Sequence, residues 1–135
     1  MAICWTPALA VGIDDIDDQH RELFARADRF DRAVREGASE REVGELLDFL
    51  HAYAVWHFGL EEAWMRDTGF PGYLRHRAEH DRFASDLVAL AREHERVGPS
   101  AFLSLRVGAW LGRWLESHLA GTDAEMGRFL QQRTG

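Results

Sequence analysis

Apolar residues recur every three or four positions along most of the chain, the spacing that places them on one face of an α-helix. The pattern predicts four long helices, at about residues 18–37, 40–67, 73–96 and 100–120, and a short last helix at about 123–132. Because the connections between them are short, consecutive helices should be antiparallel neighbours. We therefore expect an all-α protein, an up-down-up-down antiparallel four-helix bundle formed by a single domain of residues 1–135.

Residues 1–17 show no sustained period and are expected to form an extended N-terminal arm over the core. Asp17 or Asp18 should start the first helix, since an acidic cap accepts backbone N–H groups and complements the helix dipole. Two capping boxes, Ser39 with Glu42 and Thr122 with Glu125, are expected to open the second helix and the last one.

Histidine and acidic residues interrupt the apolar stripes near one end of the predicted bundle. His57 and Glu61 are four residues apart, as are His76 and His80, so each pair shares a helix face. Such side chains on a core-facing stripe cost free energy unless a bound cation or another partner compensates them. The alternating helices bring seven of them to one end: His20, His57, Glu61, His76, His80, His118 and Asp123. A metal site is therefore predicted at this end.

His118 and Asp123 are five residues apart. On a regular α-helix this spacing separates the two side chains by about 140° around the helix axis. For both side chains to reach one site, the helix must bulge or break between them. Gly121 and Thr122 would make either distortion inexpensive. The sequence leaves the choice between bulge and break open.

The number and type of these side chains limit which metal ion the site can hold. Five imidazoles and two carboxylates are too many ligands for one zinc ion, which usually takes four. They are too rich in nitrogen for magnesium or calcium. Two iron ions that share bridging ligands suit this set.

These motifs resemble, in chain order, the signatures of the hemerythrins, in particular the single-domain bacterial hemerythrins. The first resemblance is the opening Trp5-Thr6 with the run from Val11 to His20, and the other three are the pairs His57 with Glu61, His76 with His80, and His118 with Asp123. The resemblance implies that His76, His80 and His118 hold one iron ion and that His20 and His57 hold the other. It implies two iron ions (Fe2+/Fe3+) bridged by Glu61, Asp123 and an oxo or hydroxo group, with dioxygen bound reversibly at an open position of the second iron.

A dry apolar pocket should surround that open position, because water and protons would turn bound dioxygen into free peroxide. The candidates to line this oxygen pocket are Leu23, Phe58, Trp114 and Leu119. Phe58 and Leu119 adjoin predicted ligands, and Leu23 lies one turn beyond His20. Many relatives have isoleucine where this chain has Leu119, a difference expected to change dioxygen release or autoxidation but not metal binding.

Other polar residues are assigned no metal. His51 and His94 complete no motif and are interpreted as surface or packing residues. Glu62, Glu79 and Asp81 adjoin predicted ligands and are expected to point away from them into solvent. Cys4, the single cysteine, excludes an internal disulfide and is interpreted as a small buried hydrophobe.

Composition excludes several kinds of partner. The net charge is −7, from 23 acidic and 16 basic residues, and every basic one is arginine, a balance that argues against nucleic acid as a partner. The chain has no apolar run of about 20 residues that would cross a membrane. With one cysteine and no signal sequence at its start, it is expected to be soluble and cytoplasmic.

Reversible dioxygen binding for storage, delivery or scavenging is the leading functional hypothesis, with no enzymatic activity expected and no protein partner identified. One alternative is an oxygen or redox sensor that signals to a partner. A second is a di-iron enzyme such as a peroxidase, nitric oxide reductase or ferroxidase. The chain contains no Glu-x-x-His pair of the kind that oxygen-activating di-iron enzymes use. A mononuclear zinc protein would leave ligands unused.

Overall fold

The computed structural model describes residues 4–134, and the side chains of residues 4–132, as helices joined by short turns, without a strand. A short 3-10 helix (Pro7–Leu9) precedes α1 (Asp14–Arg35), α2 (Ser39–Tyr53), a first π segment (Ala54–Phe58), α3 (Gly59–Thr68), α4 (Tyr73–Val97), α5 (Ala101–Trp114), a second π segment (Leu115–Asp123) and α6 (Ala124–Thr134). The predicted all-α class is confirmed.

Each π segment continues the helical backbone on both sides. The flanking residues Tyr53, Gly59, Trp114 and Ala124 all have right-handed helical φ and ψ angles. Four long helical rods therefore span residues 14–35, 39–68, 73–97 and 101–134. The predicted short last helix is present as α6, and the second π segment joins it to α5 without a turn between them.

The first helix begins at Asp14, earlier than the predicted residue 18, and no side chain caps it. Asp17 is buried inside the first turns, where its carboxylate accepts hydrogen bonds from the backbone N–H of Val11 at 2.8 Å and of Gly12 at 3.2 Å. Asp17 thus anchors the backbone of residues 11 and 12 to α1. Residues 1–3 of the predicted arm lie outside the described residues.

The capping prediction for α2 is wrong as well. Ala38 occupies the cap position, and no side chain hydrogen bond caps the helix. Glu42 instead accepts hydrogen bonds from Arg29 of α1 at 3.3 and 3.4 Å. Ser100 does cap α5, since its hydroxyl accepts from the backbone N–H of Leu103 at 3.2 Å.

The core has two parts. In the main core, α1 packs against α2 and α5, and α4 packs against α2 and α3. A second cluster joins α1, α3 and α6 with the segments that precede α1 and follow α3: Val11, Ile16, Met65, Phe70, Met126 and Leu130. At Gly127 the approach is so close that a Cβ would lie 2.9 Å from Cα of Val11.

The second cluster positions the site because His20 follows Ile16 by one turn and Asp123 precedes Met126 by about one turn. The start of α1 and the start of α6 are thereby held at one place. No helix within the described range is both long and apolar enough to cross a bilayer.

Candidate metal centre

The seven predicted ligand side chains converge in the interior. None of them is more than 1% exposed: His20, His57, Glu61, His76, His80, His118 and Asp123. Their donor atoms form two overlapping groups, in each of which all atoms lie within 4.8 Å of one another. One group contains Glu61, His76, His80, His118 and Asp123, and the other contains His20, His57, Glu61 and Asp123.

These groups coincide with the two ligand sets that the resemblance implies. We call them the five-donor set and the four-donor set, and they share Glu61 and Asp123. That these side chains bind metal stays a prediction.

Each shared carboxylate presents one oxygen to each set. Oε1 of Glu61 lies 3.1 Å from Nε2 of His80, and Oε2 lies 2.8 Å from Nε2 of His57. Oδ1 of Asp123 lies 2.9 Å from Nε2 of His76, and Oδ2 lies 3.2 Å from Nε2 of His20. Carboxylates placed in this way can bridge two cations.

The second π segment brings Asp123 into this arrangement. A π-helical hydrogen bond joins residues five positions apart, so side chains at that spacing come to the same face. Nε2 of His118 and Oδ1 of Asp123 are accordingly 3.1 Å apart. Of the two predicted distortions, the helix has the bulge and not the break. Thr122 lies inside the segment and caps nothing.

The buried atoms that face inward fit a metal centre. Five of them have no hydrogen-bond partner among the described residues: Oε2 of Glu61, Nε2 of His80, Nε2 of His118 and both carboxylate oxygens of Asp123. Unsatisfied buried polar atoms are costly in a native protein. Because imidazole nitrogen and carboxylate oxygen both bind iron, two iron ions would satisfy these atoms at once.

The pKa values of these side chains also fit a cation-binding centre. Burial would raise the pKa of Glu61, but the charge of His57 and hydrogen bonds from neighbouring histidines hold it well below its usual range. Burial would lower the pKa values of His20 and His76, yet Asp123 and Glu61 raise them to about 10 and about 9. Two ionised carboxylates therefore hold protons on these imidazoles, and a bound cation would displace them.

Two carboxylates that were expected to point into solvent instead contact predicted ligands. Glu62 accepts from Nδ1 of His80 at 2.9 Å, and Glu79 accepts from Nδ1 of His118 at 2.8 Å. Thr122 also donates its hydroxyl hydrogen to Glu79, at 2.8 Å. The expectation for Glu62 and Glu79 is wrong, because each forms a hydrogen bond with a histidine of a neighbouring helix.

A third hydrogen bond to the Nδ1 atom of a predicted ligand was not predicted from the sequence. Oε1 of Gln19 accepts from Nδ1 of His57 at 2.6 Å. Histidines that bind metal through Nε2 usually donate Nδ1–H to an oxygen, and this rule was the available signal. Asp81, by contrast, is exposed as expected and pairs with Arg77 at 4.0 Å.

The same three histidines stack on aromatic rings. The centroid distances are 4.6 Å for Tyr53 on His57, 3.9 Å for Phe58 on His80 and 3.8 Å for Trp114 on His118, with interplanar angles of 15°, 5° and 9°. The hydrogen bond fixes each imidazole within its plane, and the stack fixes the tilt of that plane. Their Nε2 lone pairs are therefore aimed at the centre before any ion binds.

The predicted oxygen-pocket residues lie around these rings. Leu23, Phe58 and Leu119 are buried in the main core, and Trp114 is half-buried against it. The rings of Phe58 and Trp114 are 5.8 Å apart between centroids. Tyr53, which was not predicted as part of the site, lies beside Phe58 at 6.1 Å. That the four residues form a pocket for oxygen stays a prediction.

The remaining candidates lie away from the centre. His51 is exposed, and His94 is half-buried beside Gly44, in agreement with the interpretation of both as surface or packing residues. Cys4 is exposed, so its interpretation as a buried hydrophobe is wrong.

Comparison with known proteins agrees with the geometry. The family described as "Hemerythrin HHE cation binding domain" matches residues 11–130. A bacteriohemerythrin of Stenotrophomonas maltophilia is 30% identical over 121 residues, which cover 90% of this chain and 76% of that protein. A hemerythrin-like protein of Naegleria gruberi is 31% identical over 119 residues, which cover 88% of this chain and 86% of that protein.

Solved structures give the same result. A crystal structure of a hemerythrin mutant superposes with a TM-score of 0.72 at 27% identity, over 96% of this chain and 98% of that one. The family match spans most of the chain and includes all seven converging side chains. The chain therefore belongs to the hemerythrin family.

Proposed function

We propose that this protein binds dioxygen reversibly at a carboxylate-bridged di-iron centre, for oxygen storage, delivery or scavenging. The observation that carries the proposal is the placement of Glu61 and Asp123, each of which presents one oxygen to each histidine set. Two iron ions bound there would supply one electron each to dioxygen and recover both when it leaves.

The two sets are unequal in number of donors, and from this difference we infer different tasks for them. Five residues converge in one set and four in the other. The four-donor set, with His20 and His57, leaves more room for an external ligand, so we place dioxygen on that side. The five-donor set would hold its ion without exchange.

Apolar residues around the centre would protect the bound ligand. Leu23, Phe58 and Leu119 are all at least nine-tenths buried, and their side chains offer no proton. Exclusion of water from such a site suppresses release of peroxide. Gln19, Glu62 and Glu79 would keep the ligand rings in the tautomer that leaves Nε2 free for metal.

The up-down-up-down order of the rods, with the N-terminal arm packed over them, is part of the same proposal. His57 lies late in the second rod and His76 lies early in the third, yet both contact Glu61. These contacts support an antiparallel arrangement of adjacent rods. The exposed thiol of Cys4 favours a reducing compartment, so a cytoplasmic location also belongs to the proposal.

The test is an iron assay combined with optical spectra of the reduced protein before oxygen, after oxygen and after oxygen removal under inert gas. We expect two iron ions per chain and a visible charge-transfer band that appears with oxygen and disappears on its removal. Irreversible oxidation would contradict the carrier function and favour a redox sensor or an enzyme. A protein that takes up little iron would contradict the di-iron centre itself.

A further inference from the structure

The hydroxyl group of Tyr53 is buried without a partner. The residue is 7% exposed, and its phenolic oxygen makes no hydrogen bond within the described part of the chain. Buried tyrosines usually find a partner for this group, since an unsatisfied hydroxyl destabilises the folded state. The ring centroids of Phe49 and Phe58 lie 6.0 and 6.1 Å from that of Tyr53, so apolar rings cover part of this side chain. Neither of them can accept the hydrogen bond that the hydroxyl offers.

The phenol lies beside the four-donor set. Its ring stacks on His57 with a centroid distance of 4.6 Å, and Phe58 meets it edge-on at 6.1 Å. Nε2 of His57 is 2.9 Å from Nε2 of His20, so Tyr53 stacks on an imidazole that directly contacts the other histidine of this set.

We propose that Tyr53 donates its O–H hydrogen bond to a small ligand bound on the His20 and His57 side, such as dioxygen or a small anion, and so raises the affinity of the site for it. This inference rests on the proposed function. A tyrosine hydroxyl is protonated at neutral pH at its ordinary pKa of about 10, so it is a donor there. A ligand that carries negative charge is the best acceptor, because hydrogen bonds to charged groups are about twice as strong as neutral ones.

Tyr53→Phe isolates the hydroxyl, since the ring and its stack on His57 are retained. Tyr73→Phe is the matched control: that hydroxyl is near the surface and accepts from Arg66 at 3.2 Å, away from the centre. The probe is azide, a small anion, titrated into the oxidised di-iron protein and followed by its visible charge-transfer band. We expect the Kd for azide to rise at least tenfold in Tyr53→Phe and to stay unchanged in Tyr73→Phe.

A second measurement separates this role from a structural one. If the hydroxyl has no partner in the absence of ligand, metal-free Tyr53→Phe should unfold at the same temperature as the wild type or a higher one. A clear loss of stability would show a structural partner and overturn the proposal, as would an unchanged Kd for azide. Wild-type protein that takes up no iron would overturn the proposed function together with this inference, whereas wild-type protein that binds azide no more tightly than Tyr53→Phe would overturn the inference alone.

Discussion

Glu79 accepts a hydrogen bond from Nδ1 of His118 at 2.8 Å, although the two residues are 39 positions apart and lie on different rods. Burial would raise the pKa of Glu79, but its hydrogen bonds with His118 and Thr122 lower it, so the acceptor is ionised at neutral pH. The carboxylate thereby fixes the imidazole whose Nε2 faces Asp123.

Glu79→Ala should weaken iron binding by roughly 10- to 100-fold, the usual effect of removing such a partner from a metal-bound histidine. Retention of iron against increasing concentrations of a chelator measures this effect. Asp81→Ala is the control, because Asp81 lies two residues further along α4 but is exposed. Equal iron retention in the two variants would show that Glu79 does not orient His118.

His57→Ala should leave fewer than two iron ions per chain, because the four-donor set would lose one of its two imidazoles. His51→Ala, an exposed histidine six residues earlier, should load as the wild type does. Iron is quantified per chain after reconstitution and gel filtration. A His57→Ala protein that keeps both ions would refute the ligand assignment.

Leu119→Ala should speed autoxidation, since a smaller side chain next to His118 would admit water to the oxygen pocket. It should also cost about 2–5 kcal/mol of unfolding free energy, as other buried leucine-to-alanine changes do. Leu111→Ala, two turns earlier and equally buried at 2% exposure, controls for that loss. Decay of the oxygenated spectrum gives the rate, and equal rates in the two variants would remove Leu119 from the pocket.

The metal-free protein should lose stability as the pH rises from about 6.5 toward 10. The pKa values of His20 and His76 are raised from 6.5 to about 10 and about 9, so their contribution is complete below 6.5 and is lost as the pH rises through the folded values. Glu61 and Asp123 have lowered pKa values and lose their contribution at acidic pH. Burial lowers the pKa of His57, which adds to the acidic loss.

Urea unfolding midpoints of the metal-free protein between pH 5 and 10 test this dependence, and His20→Gln should flatten the alkaline part. Stability that stays constant or increases from pH 6.5 to 10 would contradict the protonated state of the two histidines.

Gly127→Ala should destabilise the fold by about 1–3 kcal/mol, because its Cβ would lie 2.9 Å from the backbone of Val11. Gly112→Ala on α5 is the control: a Cβ there meets nothing within 4 Å, so the change should stabilise the helix by up to about 1 kcal/mol. Thermal unfolding of both variants measures the difference. A neutral Gly127→Ala would mean that the arm does not pack closely on α6.

The sequence predicted the converging side chains because helical spacing is a local property of the chain. His57 with Glu61, and His76 with His80, share faces whatever surrounds them. The partners of the histidines were not predicted, since whether Glu79 meets water or His118 depends on how two rods are rotated against each other. The sequence did not predict the first π segment. His57 and Glu61 are four residues apart, a spacing that a regular α-helix already places on one face, so no bulge was expected there.

The shared carboxylates would also couple the filling of the two donor sets. An ion bound to the five-donor set would occupy one oxygen of Glu61 and one of Asp123. The other oxygen of each carboxylate would still face His20 and His57. The remaining negative charge would then attract a second ion to donors that are already in place. Loading should be cooperative, with singly loaded chains scarce at every iron concentration. If both carboxylates bridge two iron ions, iron content would be close to an all-or-none property of each molecule, and partial saturation would describe a mixture of empty and complete proteins.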